Sequence, residues 1–108
     1  MTDADGLFDL LADKTRRAAV GALLKRPYSS GELAETLAVS PQALSRHLRK
    51  LRQSGLVRIE GDEADARLRI YRVAPARLDP LRDWFEQAGK LWTEQLDAFR
   101  AFAEDEGQ

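Results

Sequence analysis

Between Ser40 and Arg58 five basic side chains, Arg46, Arg49, Lys50, Arg52 and Arg58, occur without a single acid, giving this stretch a charge of +5. Cations grouped in this way suit phosphate, because each one that neutralises a backbone phosphate releases condensed counterions. The first part of the stretch carries side chains that can read base edges. Gln42 can offer an amide pair to adenine, Arg46 a guanidinium fork to guanine, and Ala43 a methyl contact to thymine, with Lys50 further along the same side. Ser40, Ser45, Arg49 and Arg52 are expected to meet phosphate, setting orientation and salt dependence without selecting sequence. His47 reads either as a packed or backbone-bonded residue between leucines or as a further DNA contact. It lacks the partners a metal site requires, since the chain has no other histidine and no cysteine.

The flanks reverse the sign. Residues 1–13 carry four acids and no base, and residues 79–108 carry eight acids against three bases, so the net charge of -1 hides a basic middle between acidic ends. That polarity fits a molecule with one face toward phosphate. The absence of cysteine excludes disulfides, thiolate metal sites and thiol redox chemistry. Asp3 and Asp5 stand where a secretory signal would carry lysine or arginine, and no apolar run approaches the roughly 20 residues of a membrane span. A soluble cytoplasmic protein without membrane association is expected. No nucleophile, base and orienting group occur together and no phosphate-cradling glycine loop is present, so an enzyme is not expected.

At 108 residues one domain is expected. A short helix runs from about Asp5 to Ala12, and Asp13 can cap a second over Lys14 to Lys25, stopped by Pro27. Gly21, in the middle of that helix, suggests a close helix crossing. Ser29, Ser30 and Glu32 carry capping-box spacing for a third helix, Ser30 to Leu37. Ser40 and Pro41 open a fourth, from Pro41 to about Gln53, whose inward side is Leu44, Leu48 and Leu51, and Ser54-Gly55 ends it. Leu56 to Glu60 and Leu68 to Val73 read as two strands of a hairpin. Apolar residues at helical spacing then predict one long helix over about 76–104. The fold expected is mainly α with a small β-hairpin, a winged helix-turn-helix in the order α-α-α-α-β-β-α. Its helix-turn-helix spans about 30–54 and its wing about 56–73, and a long C-terminal helix is available for dimerisation.

Leu11-Ala12-Asp13-Lys14-Thr15-Arg16-Arg17, Glu32-Leu33-Ala34, Ser45-Arg46-His47-Leu48, Ser54-Gly55-Leu56-Val57 and Tyr71-Arg72-Val73 together resemble the ArsR/SmtB family of bacterial winged helix-turn-helix repressors. The resemblance covers most of the chain. It implies a dimeric repressor that binds an operator in double-stranded DNA and leaves it when a signal arrives, commonly a metal ion. The chain departs from the family's metal sites, with Glu32-Leu33-Ala34-Glu35 where cysteines stand and no histidine on the last helix. Asp79, Asp83 and Glu86 read more simply as a solvated helix face than as a weak site for hard cations. No metal and no other cofactor is therefore expected. Lys14 stands where the family often has proline. The wing loop, Gly61 to Ala66, carries three acids, so any wing contact with DNA is expected from Arg67 or Arg69.

Trp84, Phe85, Trp92, Phe99 and Phe102 place most of the large aromatics on the last helix. At 1.5 Å per residue that helix should be roughly 43 Å long and project beyond its own core. Because the resemblance implies dimerisation through the first and last helices, Leu7, Leu11, Trp84, Ala88, Leu91, Trp92 and Leu96 are candidates for a two-fold interface, some of them shared with the monomer core. Two other readings stay open. One is a winged-helix module that binds protein, suggested by the acidic wing tip and ends; the other is a sensor of a small-molecule effector or metal through the C-terminal helix.

Overall fold

Four of the helices begin on a side chain that takes up a free backbone N–H. In a computed structural model of the chain, which describes residues 3–61, 65 and 69–106, the Asp3 carboxylate accepts from the Gly6 N–H at 2.9 Å and opens α1, Ala4–Ala12. Asp13 accepts from Arg16 N–H at 2.9 Å and opens α2, Lys14–Lys25. Ser29 and Glu32 form the reciprocal capping box, both bonds 3.2 Å, at the start of α3, Ser30–Leu37. Ser40 accepts from Ala43 N–H at 3.2 Å and, with Pro41 in the first turn, opens α4, Pro41–Gln53. The turn between α3 and α4 passes through Ala38 at φ 55°, a left-handed conformation in which its N–H closes onto Ala34 and Glu35 carbonyls. Gly55 takes the left-handed position after α4 at φ 84°.

A two-residue strand, β1 (Tyr28–Ser29), was not expected from sequence. It adds to the hairpin of β2 (Val57–Glu60) and β3 (Ile70–Val73), making a three-stranded antiparallel sheet in the order β1-β3-β2. Tyr28 pairs with Tyr71, and Val57 with Val73. Arg58 lies directly opposite Arg72, and Glu60 takes both guanidinium groups, which offsets the repulsion of like charges across a strand pair. Leu68 and most of the loop preceding it lie outside the described residues.

The core is one cluster. Leu44, Leu48 and Leu51 of α4 meet Leu33 and Ala34 of α3, Ala19, Val20 and Leu23 of α2, Leu7 of α1, and the sheet residues Tyr28, Val57 and Tyr71. A 3-10 turn, Pro75–Leu78, follows the sheet, and α5 starts at Asp79 and runs to Glu106. The helical spacing led to an expected start near Ala76; Pro80 explains the later one, because proline fits the first turn of an α-helix and not its interior. Among the described residues of α5 Leu81 alone is buried, so the helix leaves the body of the molecule and stretches it to 72 × 29 × 21 Å. No described helix is long and apolar enough to cross a membrane.

Gly21 departs from expectation. It is exposed, and none of the described residues comes within 4 Å of where a Cβ would stand, so no helix crosses there.

Candidate nucleic-acid interface

With 3.6 residues per turn, the side chains of α4 divide into a buried stripe, an outward face and two flanks. Leu44, Leu48 and Leu51 form the buried stripe and fix the helix on the body. Opposite them Gln42, Arg46, Lys50 and Gln53 are exposed, at successive turns of the helix. This is the face a major groove would receive, and it brings together three of the four residues expected to read bases. Ala43, the fourth, is half-buried, so only part of its methyl surface is open. Ser40 is exposed at the helix start, where its oxygen holds the Ala43 N–H; its hydroxyl proton remains free to be donated.

Ser45, Arg49 and Arg52 lie on the flank toward the wing. They line a cavity of about 160 Å³ together with Leu48 and, from the wing, Arg69 and Tyr71. Arg69 stands two residues before Tyr71, so the alternation of an extended chain turns both toward α4 while Ile70 and Arg72 turn away. Arg67, the other expected wing contact, lies outside the described residues, as do Asp62 and Glu63 of the acidic loop.

His47 lies on the opposite flank, turned toward the corner between α1 and α2 and away from the face that carries Gln42, Arg46 and Lys50. Its Nδ1 is 3.4 Å from Nη1 of Arg16, and its Nε2 is 3.7 Å from Oδ1 of Asp13. Because a guanidinium only donates, Nδ1 is the acceptor and the ring proton sits on Nε2, facing the carboxylate. Arg16 in turn donates from Nε to the Leu10 carbonyl at 2.7 Å and from Nη2 to the Asp9 carbonyl at 3.2 Å. These carbonyls are among the last of α1, which have no partner within their own helix. His47 thus connects the recognition helix to the corner between α1 and α2. Asp13 lies at the centre of this corner, and its carboxyl is held below the usual range chiefly by the Arg16 backbone N–H. Sequence gave a sign of this in the spacing from Asp13 to Arg16 but none of the pairing with a residue thirty-odd positions away.

Lys14, at the first position of α2, is exposed. It lines a second cavity, about 270 Å³, with Thr15, Ala18, Leu37 and Val39, beside the turn that leads into Ser40. That places a further cation next to the start of the recognition helix.

The interface candidates divide clearly. Leu7 is buried in the chain's own core and is corrected to a core residue. Leu11 and Ala88 are half-buried, whereas Trp84, Leu91, Trp92 and Leu96 are exposed. Phe8 of α1, not among the residues expected at an interface, meets Trp84 at 5.1 Å and Phe85 at 6.0 Å, both edge to face. Phe85, Phe99 and Phe102 extend the exposed apolar face along α5. The carboxylates of Asp79, Asp83 and Glu86 all turn to Arg82, at 3.4, 3.3 and 3.8 Å. Among the described residues, no group of three or more histidine, aspartate or glutamate side chains is placed to hold a metal ion.

The family model described as bacterial regulatory protein, arsR family, matches residues 13–58, from the cap of α2 into β2. Over 103 residues, 95% of this chain and 91% of the relative, the sequence is 36% identical to the HTH-type transcriptional regulator Rv2034 of Mycobacterium tuberculosis. The structure is similar to that of an ArsR-like transcriptional regulator from Rhodococcus sp. RHA1, with a TM-score of 0.69 and 31% identity, covering 92% of this chain and 88% of that one. It is also similar to the ArsR family transcriptional regulator RHA00566, with a TM-score of 0.68 and 28% identity, covering 82% and 89%.

Proposed function

Because the chain belongs to the arsR family of bacterial regulatory proteins, and so is a DNA-binding transcriptional regulator and not an enzyme, we propose that it is a homodimeric repressor of a pseudo-palindromic operator and needs no metal cofactor. The observation that carries this reading is the two-sided α4. One side is anchored by three buried leucines, and the other holds Gln42, Arg46 and Lys50 out at one-turn intervals. Gln42 and Arg46 choose the sequence, and Ser40, Ser45, Arg49 and Arg52 grip the backbone on either side. Repression requires nothing beyond occupying a promoter-overlapping site in the cytoplasm, where the DNA is.

Metal-independent action is supported by the engagement of the candidate ligands elsewhere. Asp79, Asp83 and Glu86 are occupied by Arg82, and His47 is occupied by Asp13 and Arg16. A homodimer is supported by the exposed apolar face that Phe8 and α5 share. A two-fold arrangement presents two copies of α4 to successive major grooves on one side of the duplex.

Selection of bound sequences from a random DNA pool, followed by footprinting, tests the reading. The expected product is an inverted repeat with half-site centres about 10 base pairs, or one helical turn, apart. Failure to protect any DNA at low salt, with a protein partner recovered instead, would show that the winged helix serves protein binding.

A further inference from the structure

A helix lying in a major groove has a phosphodiester backbone on each side of it. On the wing side α4 offers Ser45, Arg49 and Arg52. On the other side lies the corner between α1 and α2, where most cations are already engaged. Arg16 donates to the Leu10 and Asp9 carbonyls and meets His47, and Arg17 donates from Nη1 to the Leu11 carbonyl at 2.7 Å. Lys14, at the first position of α2, is exposed, and its ammonium has no partner among the described residues. The neighbouring acid, Asp13, turns its carboxylate to the Arg16 N–H and to His47.

The cavity that Lys14 lines joins this ammonium to an apolar wall. Ala18 lies one turn along the same face of α2, Leu37 ends α3, and Val39 belongs to the turn that delivers Ser40 and the first residues of α4. Leu37 and Val39 are half-buried and Ala18 is exposed, so the wall can be reached from outside. The space of about 270 Å³ is smaller than the roughly 300–1,000 Å³ clefts that bury most of an organic ligand. An apolar wall with a cation at its rim suits a deoxyribose joined to its phosphate.

We propose that this cavity seats one sugar–phosphate unit of the operator backbone on the side of α4 away from the wing, an inference that rests on the DNA-binding reading above. The Lys14 ammonium meets the phosphate, the Thr15 hydroxyl donates a further bond to it, and the deoxyribose lies against Ala18, Leu37 and Val39. Two observations select DNA as the occupant. The ammonium complements a phosphate in charge, and as a point charge on a flexible stem it needs no fixed fork geometry. The cavity is also continuous with the end of α4 that enters the groove, because Val39 directly precedes Ser40, whose hydroxyl proton remains free to be donated. Lysine in place of the proline that the family resemblance gives this position therefore adds a backbone contact that proline cannot make. The helix start is kept, since Asp13 caps it. Such a contact carries no sequence information, but it fixes how the first turn of α4 sits against the bases.

The test measures binding of the full chain to the selected operator and to random duplex over a salt series. Lys14→Gln and Lys14→Pro should each lower the slope of log affinity against log salt by about one and weaken both duplexes by a similar factor, as loss of a phosphate contact does. Lys14→Arg should keep the wild-type slope. A second arm scans the operator with one uncharged methylphosphonate at each backbone position. One position in each half-site should weaken wild-type binding about tenfold when neutralised and leave Lys14→Gln binding unchanged, which locates the seated phosphate. Ala18→Leu fills the apolar part of the cavity and leaves Lys14 in place. Its operator binding should weaken too, and undiminished binding would remove the sugar from the cavity and overturn the seat. The seat is equally overturned if the uncharged variants keep the wild-type slope and respond to the scan as the wild type does. That result leaves the DNA-binding reading standing, whereas a wild-type chain that retains no DNA of any sequence ends both. Thermal denaturation checks that each variant folds, and because proline suits the first position of a helix, Lys14→Pro decides the matter should Lys14→Gln fail to fold.

Discussion

Arg46 and His47 are neighbours in sequence, yet the roughly 100° between successive residues of a helix sends the first to solvent and the second to Asp13 and Arg16. Their substitution should therefore separate reading from positioning. Arg46→Ala is expected to lower affinity for the selected operator by about 1–3 kcal/mol while changing affinity for random DNA far less, as loss of a base contact does. His47→Ala also weakens operator binding, by loosening α4 from the α1–α2 corner, but leaves the slope of log affinity against log salt as in the wild type. Fluorescence anisotropy over a salt series measures both. If His47→Ala reduces that slope by about one, as removal of a phosphate contact does, the histidine touches DNA and its assignment as a positioning residue is wrong. Neither role could be separated on sequence, where both residues simply lie among leucines on a basic helix.

The helices were legible because their boundaries are local. Asp13, Ser29, Glu32 and Ser40 announce helix starts by residue type and spacing, and each side chain makes the bond that spacing implies. What escaped was set by distant partners. Tyr28–Ser29 is a strand only because β3 runs beside it, and two residues carry no periodicity. Phe8 faces outward and Leu7 inward because α2 and α5 pack where they do, which alternation within nine residues does not reveal. Gly21 illustrates a local signal with no tertiary cause. Gly21→Ala should raise stability by about 1 kcal/mol, since the methyl meets open space and the unfolded chain loses freedom. Urea denaturation measures it, and a destabilised variant would place a second surface against α2. The caps give the same elements an acid limit. Asp13 and Glu32 have carboxyl pKa values lowered chiefly by backbone N–H groups, those of Arg16 and Ser29 respectively. Groups depressed in the folded state stabilise above their unfolded pKa values, and that contribution is lost as pH falls through the folded ones. Asp13→Asn keeps an acceptor for the Arg16 N–H but has no charge to lose, so its stability should fall less steeply between pH 5 and 2, roughly, than that of the wild type. Equal slopes in acid denaturation would remove Asp13 from the titration.

At the scale of the molecule, the length of α5 and the placement of its apolar residues make one argument. A chain of this size folded into a sphere-like domain would have a radius of gyration of about 13 Å; this one has 19.4 Å because α5 leaves the core. Along the projecting part Trp92 is 66% exposed, Phe99 68% and Phe102 64%. Leaving such side chains in water forgoes about 25 cal/mol for each Å² that burial would remove. In the proposed homodimer a second copy related by a two-fold axis would present the same face and cover both, and the acidic residues near either end would keep that junction away from phosphate. Such a dimer would also bear on DNA binding, because one α4 would read one half-site and the second half-site would become an intramolecular event once two copies are joined. Trp92→Glu combined with Leu96→Glu, both at exposed positions that leave the monomer core untouched, should shift sedimentation equilibrium from dimer to monomer. Binding to an isolated half-site should persist in this variant, whereas affinity for the full operator should fall to nearly the half-site value. A wild-type chain that sediments as a monomer at tens of micromolar, roughly the range in which weak dimers persist, yet still protects both half-sites together would show that the aromatic face has another use. Retention of the dimer by the double variant would instead move the interface off the projecting part of α5 and onto the cluster of Phe8, Trp84 and Phe85, where the two helices already meet.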